Sequence, residues 1–377
     1  MKQRDWYNIV SGDKAGFTAA LLRLLAGIAA CIYSVIIHIR NLFFVEGLFK
    51  SYAITHAGLV TSDRTQTTVP VISVGNVTVG GTGKTPFVIW LCKLLREQNV
   101  NCAILTRGYK AATGKNDEPG MLAKNCPGTA VVVNPDRLAG AIEAVKKHRA
   151  QVLIMDDGFQ HRRLHRDIDI VTIDAMLPFG FAQDRPFGYG RMLPAGLLRE
   201  PVSALKRAQA AIITRCDLVS RNNLAELTAT ISRINPKMIV AQTIHSPVCA
   251  TSGKKQILLE ELKNKKTYVF CGIANPEAFL ATVGLAGANI AGSKAYDDHH
   301  NYTAGDVEGI YRDAAQSGAE MILTTEKDYN KIGLPDSQSV LELAYLAVRL
   351  QFVDGADRIR ELIERSLAGK IPRKRTV

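Results

Sequence analysis

The sequence predicts an α/β protein built on mainly parallel sheet, and three observations carry that prediction. Short apolar runs rich in β-branched residues recur along the chain, each followed by a stretch with helix-start signals. The first strong run, Val69–Val74, leads into a glycine-rich loop and then into Lys84-Thr85 at the head of a helical segment, Pro86–Arg96. A second strand–helix series begins at Thr267, after a shift in composition.

The stretch Val69–Pro86, VPVISVGNVTVGGTGKTP, has the layout of a phosphate-binding loop. Glycines let backbone N–H groups turn inward toward phosphate oxygens, and the helix N-terminus adds its positive end. Thr78, Val79, Gly80, Gly81, Thr82, Gly83, Lys84 and Thr85 are therefore the candidate nucleotide-binding residues. Lys84 would reach the outer phosphates, and Thr85 would offer its hydroxyl to a magnesium ion. The strict pattern places glycine where this chain has Thr78. Strand, Lys-Thr and helix nevertheless stand in register.

At 377 residues and 47% hydrophobic content the chain has room for two domains and a sizeable core. A net charge of +12 favours anionic partners: nucleotide, phospholipid surface, nucleic acid or a phosphorylated substrate. The 7 cysteines form no C-x-x-C pair, which argues against a disulfide framework or zinc knuckle and for a reducing compartment. No small-residue cleavage site follows the first apolar run, so a secretory signal is not expected.

Residues 1–16 are polar, and Phe17–Ile37 is strongly apolar apart from Arg23. Its cleanest part, Leu24–Ile37, is 14 residues, short of the roughly 20 that a full crossing needs. Basic residues flank the region at Lys14, Arg40 and Lys50, and Phe43, Phe44 and Leu48 extend its apolar character. The expected form is a helix lying in, or dipping into, one leaflet. A buried core helix and a true span are the alternatives.

Beyond the phosphate loop, strands are predicted at Asn101–Thr106, Thr129–Val133, Gln151–Met155, Asp167–Ile173 and Gln209–Thr214. A short helix is expected at Gly120–Asn125 and a helix at Asn222–Ile234. Asn134-Pro135-Asp136 caps a helix running to His148. Met176–Pro201 reads as a long loop, and Met176–Tyr189 within it has no account in the sequence. Residues 236–266 read as a linker with a lysine-rich turn. The second series has strands at Thr267–Cys271, Ala288–Ile290, Met321–Thr325 and Tyr345–Phe352. Its helices are Pro276–Val283, Thr303–Ser317 and a terminal one to about Leu367, with a turn at Glu326-Lys327-Asp328. The basic tail Pro372–Arg375 reads as a solvated end. The expected organisation is a membrane-associated helical segment at 1–60, a nucleotide-binding kinase domain at 61–235, the linker at 236–266, and a smaller α/β domain at 267–377.

In a parallel sheet the strand ends collect the reacting groups. Asp156 and Asp157 close an apolar strand, so they are a candidate magnesium site. The run Gly158–Arg166 follows with two His and three Arg, which either face an anion or form a solvated loop. Phosphoryl transfer also needs a base near the acceptor hydroxyl that is neither the lysine nor a metal ligand. Asp117 and His299 are the candidates, one in each domain, and such a pair would assemble on closure.

Taken together, VGNVTVGGTGKTP (Val74–Pro86), TRGYK (Thr106–Lys110), DEP (Asp117–Pro119), PDR (Pro135–Arg137) and DDGFQHRRLHRD (Asp156–Asp167) form one collinear set. GRMLPAGLLREP (Gly190–Pro201), GIANPEAF (Gly272–Phe279), DHHNYT (Asp298–Thr303) and TTEKD (Thr324–Asp328) continue it. This set resembles the tetraacyldisaccharide 4'-kinases of lipid A synthesis, over roughly residues 65–330. The resemblance implies two P-loop-like α/β domains with mainly parallel sheets and an N-terminal membrane-associated helix. It implies transfer of phosphate from Mg·ATP to the 4'-hydroxyl of a tetraacylated glucosamine disaccharide 1-phosphate, at the cytoplasmic face of the bacterial inner membrane. It also implies roles for residues. Lys84 and Thr85 hold phosphates and magnesium. Asp157, with Asp156, and Glu200 surround the metal. Asp117 is the base, tuned by His299. Arg137, His161 and Arg199 position phosphate or substrate.

Two departures from the family pattern stand out: only Lys110–Asn116 separates the RGY and DEP motifs, and Asn116 replaces a glycine. The rival readings are a membrane-associated P-loop ATPase acting on a protein partner, and a nucleic-acid-binding ATPase. The second lacks any aromatic-interleaved basic motif. Neither a nucleic acid nor an obligate protein partner is expected.

Overall fold

A computed structural model of the chain describes residues 3–12, 14–63, 66–108, 117–177, 190–332 and 341–371. Two compact units emerge. The larger holds residues 8–110, 118–243 and 352–377; the smaller holds 1–7, 111–117 and 244–351.

The polar N-terminus contains a helix, α1 (Gln3–Ser11). It is followed by α2 (Phe17–Val45), a 29-residue helix far longer than its 14-residue apolar centre suggested. At about 1.5 Å per residue it is roughly 43 Å long, and by length and composition it could cross a membrane. Arg23 does not interrupt it, because its guanidinium donates to the carbonyls of Ile9 and Lys14. Its buried residues are Ala19, Ala26, Ala30 and Ile37, a narrow stripe on one face.

The larger unit continues with the small ladder β1 (Ala53–Ile54) and β2 (Val60–Thr61). Its sheet is built from β3 (Val71–Gly75), β4 (Cys102–Thr106), β5 (Ala130–Val133), β6 (Val152–Asp156), β7 (Ile168–Asp174), β8 (Ala210–Thr214) and the first part of β9 (Ile239–Ser252). The spatial order is β9-β8-β7-β3-β6-β4-β5 and the pairings from β9 to β5 are parallel. Both faces of β3, β4, β6, β7 and β8 are buried, as a parallel sheet sandwiched by helices requires. The helices are α3 (Lys84–Glu97), α4 (Asp117–Asn125), α5 (Arg137–His148) and α6 (Arg221–Ile234). Asp136 caps α5 as expected, its side chain accepting from the amides of Leu138 and Ala139.

In the smaller unit, β10 (Lys255–Leu258) pairs antiparallel with the far part of β9, and the one-turn α7 (Leu259–Leu262) follows. Strands β11 (Lys266–Cys271), β12 (Asn289–Ala295), β13 (Met321–Thr325) and β14 (Glu342–Asp354) form a parallel run in the order β12-β11-β13-β14. Helices α8 (Pro276–Leu285), α9 (Ala304–Gln316) and α10 (Glu326–Ile332) connect them. Val269, Val283, Met321 and Leu323 centre its core.

Three expectations are corrected. The 236–266 linker is mostly the 14-residue β9 and its hairpin with β10. Pro247, whose nitrogen carries no hydrogen to donate, falls between Ile239–Gln242, paired with β8, and Cys249–Ser252, paired with β10. The Glu326–Asp328 turn is the first turn of α10. The terminal helix α11 (Ala356–Leu367) belongs to the larger unit and not to a 267–377 domain.

Candidate active site

Parallel strands deliver their C-terminal ends to one edge of a sheet, and in the larger unit β3, β6 and β7 do so side by side. After β3 the chain turns through the glycine loop into α3. Gly83 is the N-cap of α3 with φ 80, a left-handed conformation that a residue with Cβ resists. Gly75 is required for another reason: a Cβ there would lie 2.6 Å from the Cβ of Phe159. The DDGF motif therefore packs directly on the strand that feeds the loop.

The loop is held from behind. The Val79 amide donates to the Leu197 carbonyl (2.7 Å), and the Arg199 amide donates to the Val77 carbonyl (2.8 Å). The segment Gly190–Pro201, read from sequence as part of a loop, is thus a backbone partner of the phosphate loop. On the other side, Thr82 Oγ1 meets Thr172 Oγ1 at 2.7 Å, and Thr214 Oγ1 donates to the Thr82 carbonyl at 3.1 Å. Arg215 donates to the Gly81 carbonyl at 3.0 Å and pairs with buried Asp174. Thr172, Asp174, Thr214 and Arg215 escaped the sequence reading, because nothing local distinguishes a strand-end threonine or arginine. The strand-end rule that found Asp156 would have pointed to them.

Lys84 Nζ lies 3.2 Å from Asp157 Oδ1, and Arg199 Nη1 donates to both Asp157 oxygens at 3.1 and 2.9 Å. Asp157 itself has φ 52, strained backbone at the position where the acidic pair meets the lysine. Burial alone would raise its carboxyl, but Lys84 and Arg199 together hold it down at about 2. Asp156 behaves oppositely. Burial pushes its carboxyl up to about 7; Lys84 and Arg137 oppose the rise, while Asp157 and Glu118 add to it. Two adjacent carboxylates are thereby driven to different proton affinities.

Arg137 is buried and donates to the carbonyls of Asn134 (2.8 Å) and Asp156 (3.4 Å). His161 follows the same turn; burial, with Arg137 and Arg166 nearby, lowers its imidazole to about 4. Lys84, Asp156, Asp157, Arg137, His161 and Arg199 are therefore brought together. Glu200 has other company than the metal expected for it. It is fully buried, and Arg207 (2.8 and 3.3 Å), Asn41 (3.2 Å) and Arg40 (3.6 Å) take up its carboxylate.

Asp117 opens α4, but its side chain lies outside the described residues, as do the whole shortened 110–116 segment, residues 178–189 and the basic tail at 372–375. Its neighbour Glu118 is near enough to act on Asp156. In the smaller unit, His299 has φ 62, and its Nε2 lies 3.3 Å from Lys327 Nζ. Lys327 also reaches Asp298 Oδ1 at 3.3 Å.

The residues present fit a magnesium nucleotide. The loop offers glycines at φ 109 (Gly80) and 80 (Gly83) ahead of a helix N-terminus. Asp156 Oδ1 is buried with no hydrogen-bond partner among the described residues, an orphan that a cation would satisfy. Among the described residues no three metal-ligating side chains cluster. Magnesium asks for no such cage, since it keeps waters and takes phosphate oxygens alongside one or two carboxylates.

Fold and site together define a phosphate-loop α/β protein equipped for phosphoryl transfer from a nucleotide. Comparison with known proteins narrows that class. The family model for tetraacyldisaccharide-1-P 4'-kinase matches residues 21–368. The tetraacyldisaccharide 4'-kinase of Halothermothrix orenii is 32% identical over 365 residues, 89% of each chain. That of Syntrophus aciditrophicus is 36% identical over 360 residues, covering 87% of this chain and 89% of the relative. The crystal structure of "apo" form LpxK from Aquifex aeolicus in complex with ATP superposes with a TM-score of 0.64 at 26% identity. It covers 92% of this chain and 99% of that one. The chain belongs to the tetraacyldisaccharide-1-P 4'-kinase family.

Proposed function

We propose that this chain transfers the γ-phosphoryl group of ATP to the 4'-hydroxyl of a tetraacylated glucosamine disaccharide 1-phosphate in lipid A synthesis. The observation that carries the reading is the convergence of Lys84, the aspartate pair and Arg199 on one phosphate loop, in a chain of this family. Phosphoryl transfer is mostly positioning and charge neutralisation. Lys84 and the loop amides hold the phosphates. Thr85, Asp156 and Asp157 are the residues that would hold magnesium, which when bound neutralises charge shared between phosphate oxygens. Arg199 and Arg137 add fixed positive charge beside the loop, and His161 is held neutral with Arg137 and Arg166 nearby. Asp117 takes the proton of the sugar hydroxyl, with His299 tuning it. Glu200 is left out of the metal set because its paired carboxylate is fully buried, whereas the Asp157 side chain remains partly exposed beside the loop.

The exposed apolar residues of α2, among them Phe17, Leu24, Ile28, Ile32, Ile36 and Val45, suit a lipid-borne acceptor and a membrane surface. Because ATP is the donor, that surface is the cytoplasmic one.

The test is a product assay beside a lipid-free ATPase control. Purified protein with Mg·ATP should convert the disaccharide 1-phosphate to the bis-phosphorylated product. Hydrolysis at the same rate with and without lipid would favour an ATPase instead. Asp117→Ala should lower turnover by about a hundredfold or more, on the scale of general-base catalysis, with nucleotide affinity unchanged. Near-normal turnover would remove Asp117 from the base role and leave the kinase reading standing.

A further inference from the structure

We infer that the polar stripe of α2 is a positioning element of the active site: Tyr33, Arg40 and Asn41 fix the Arg199–Glu200 turn and, through it, the guanidinium that grips Asp157. The inference rests on the kinase reading above. It assigns to the apolar helix a task beyond attachment.

Tyr33, Ile37 and Arg40 continue the line of Ala19, Ala26 and Ala30 at intervals of three, four and seven residues. That spacing sets them on one helix face. Against this face lies the turn that carries Arg199. The backbone of Arg199 is clamped from both sides: its amide donates to the Val77 carbonyl of the phosphate loop, and its carbonyl accepts from the Tyr33 hydroxyl at 3.0 Å. The next residue, Glu200, is a fully buried carboxylate, and burial of a charge is tolerated only when it is paired. Arg207 supplies one partner from the same stretch of chain, while α2 supplies the others through Asn41 and Arg40.

Reciprocal contacts bind the helix to the DDGFQHRR turn. Arg40 donates to the Gln160 carbonyl, and Arg162 donates to the Asn41 carbonyl. Arg207 in turn stacks over the Phe159 ring at 4.3 Å. Asp157 is therefore approached by two segments, the Gly190–Pro201 turn and its own turn, and α2 is hydrogen-bonded to both. A displacement of α2 by a fraction of its rise per residue would move the Arg199 guanidinium relative to Lys84. Misplacement of about 1 Å costs up to a hundredfold in rate.

The experiment is steady-state kinetics of the full chain in mixed micelles, with lipid and ATP each varied. Tyr33→Phe and Asn41→Ala should each lower kcat about tenfold, while KM for ATP stays within about twofold. Asn41→Gln, which keeps the amide donor, should recover part of the loss. In an Arg199→Ala background neither change should cost more, because the path runs through that residue. Ile32→Ser, on the exposed face, should raise KM for lipid and leave kcat alone. Should Asn41→Ala fail to fold, Tyr33→Phe removes a single oxygen and carries the test. Variants that keep kcat within twofold, or losses that multiply in the Arg199→Ala background, overturn the inference. Wild-type turnover in the same assay separates that outcome from a failure of the kinase reading.

Discussion

Arg215 stands at φ 58, pairs with the fully buried carboxylate of Asp174 and donates to Gly81 in the phosphate loop. Breaking a buried ion pair from one side strands the other charge, which costs about 3–5 kcal/mol. Arg215→Ala should lose that much in urea denaturation and weaken nucleotide binding, since a loop carbonyl loses its donor. A loss below about 1 kcal/mol would mean that other groups compensate Asp174. His161 gives a pH signature at the same scale. Its folded value, about 4, lies below the ordinary 6.5, so the unfolded chain binds the proton more tightly. The contribution of His161 to stability should be full above pH 6.5 and fall as pH drops from 6.5 toward 4; Asp156, raised to about 7, opposes it in the same window because its proton is held more tightly in the folded chain. His161→Gln should remove its contribution, so that stability relative to the parent chain rises as pH falls from 6.5 toward 4; an unchanged slope would take His161 out of that window.

Among the elements, those whose signals are local were legible. The α5 cap was readable because an N-cap acts within three residues, and the structure places Asp136 there. Asp136→Ala should cost about 1 kcal/mol in thermal or chemical unfolding. No loss would show that its exposed contact with Arg163, at 3.7 Å, and the cap bonds are both matched by water. The parallel strands were readable from their continuous apolar runs, and the helix expected at Thr303–Ser317 is α9, with Thr303 as its N-cap. Elements defined by distant partners were not. Half-buried β9 depends on β8 and β10 for its identity. The turn Gly190–Pro201 depends on the phosphate loop it backs. The length of α2 was underestimated because Arg23 and Arg40 broke the apolar run, and both find acceptors outside the helix.

The whole molecule gathers its larger unit from three separated segments, with α11 returning to it through Ile359, Ile363 and Leu367. No linker composition announces that return. The basic surplus and the exposed face of α2 together predict membrane binding: the protein should float with anionic liposomes in a density gradient. The paired changes Ile32→Lys and Ile36→Lys should abolish flotation at physiological salt while leaving ATP binding intact. Flotation unaffected by those charges would move the attachment away from α2.

The sequence by itself determined the parallel α/β class, the phosphate loop with Lys84 and Thr85, the aspartate pair at the end of β6, and the family. Each of these is written in contiguous residues, where local spacing and side-chain type dictate the chemistry. Only the tertiary structure decided that Arg199 grips Asp157, that Glu200 is spent on arginines and Asn41, and that an apolar helix reaches the active site through Tyr33. Those facts depend on burial and on contacts that the fold makes, from 42 positions apart for Arg199 and Asp157 to 166 for Tyr33 and Arg199, and no local pattern encodes which cation will meet which carboxylate.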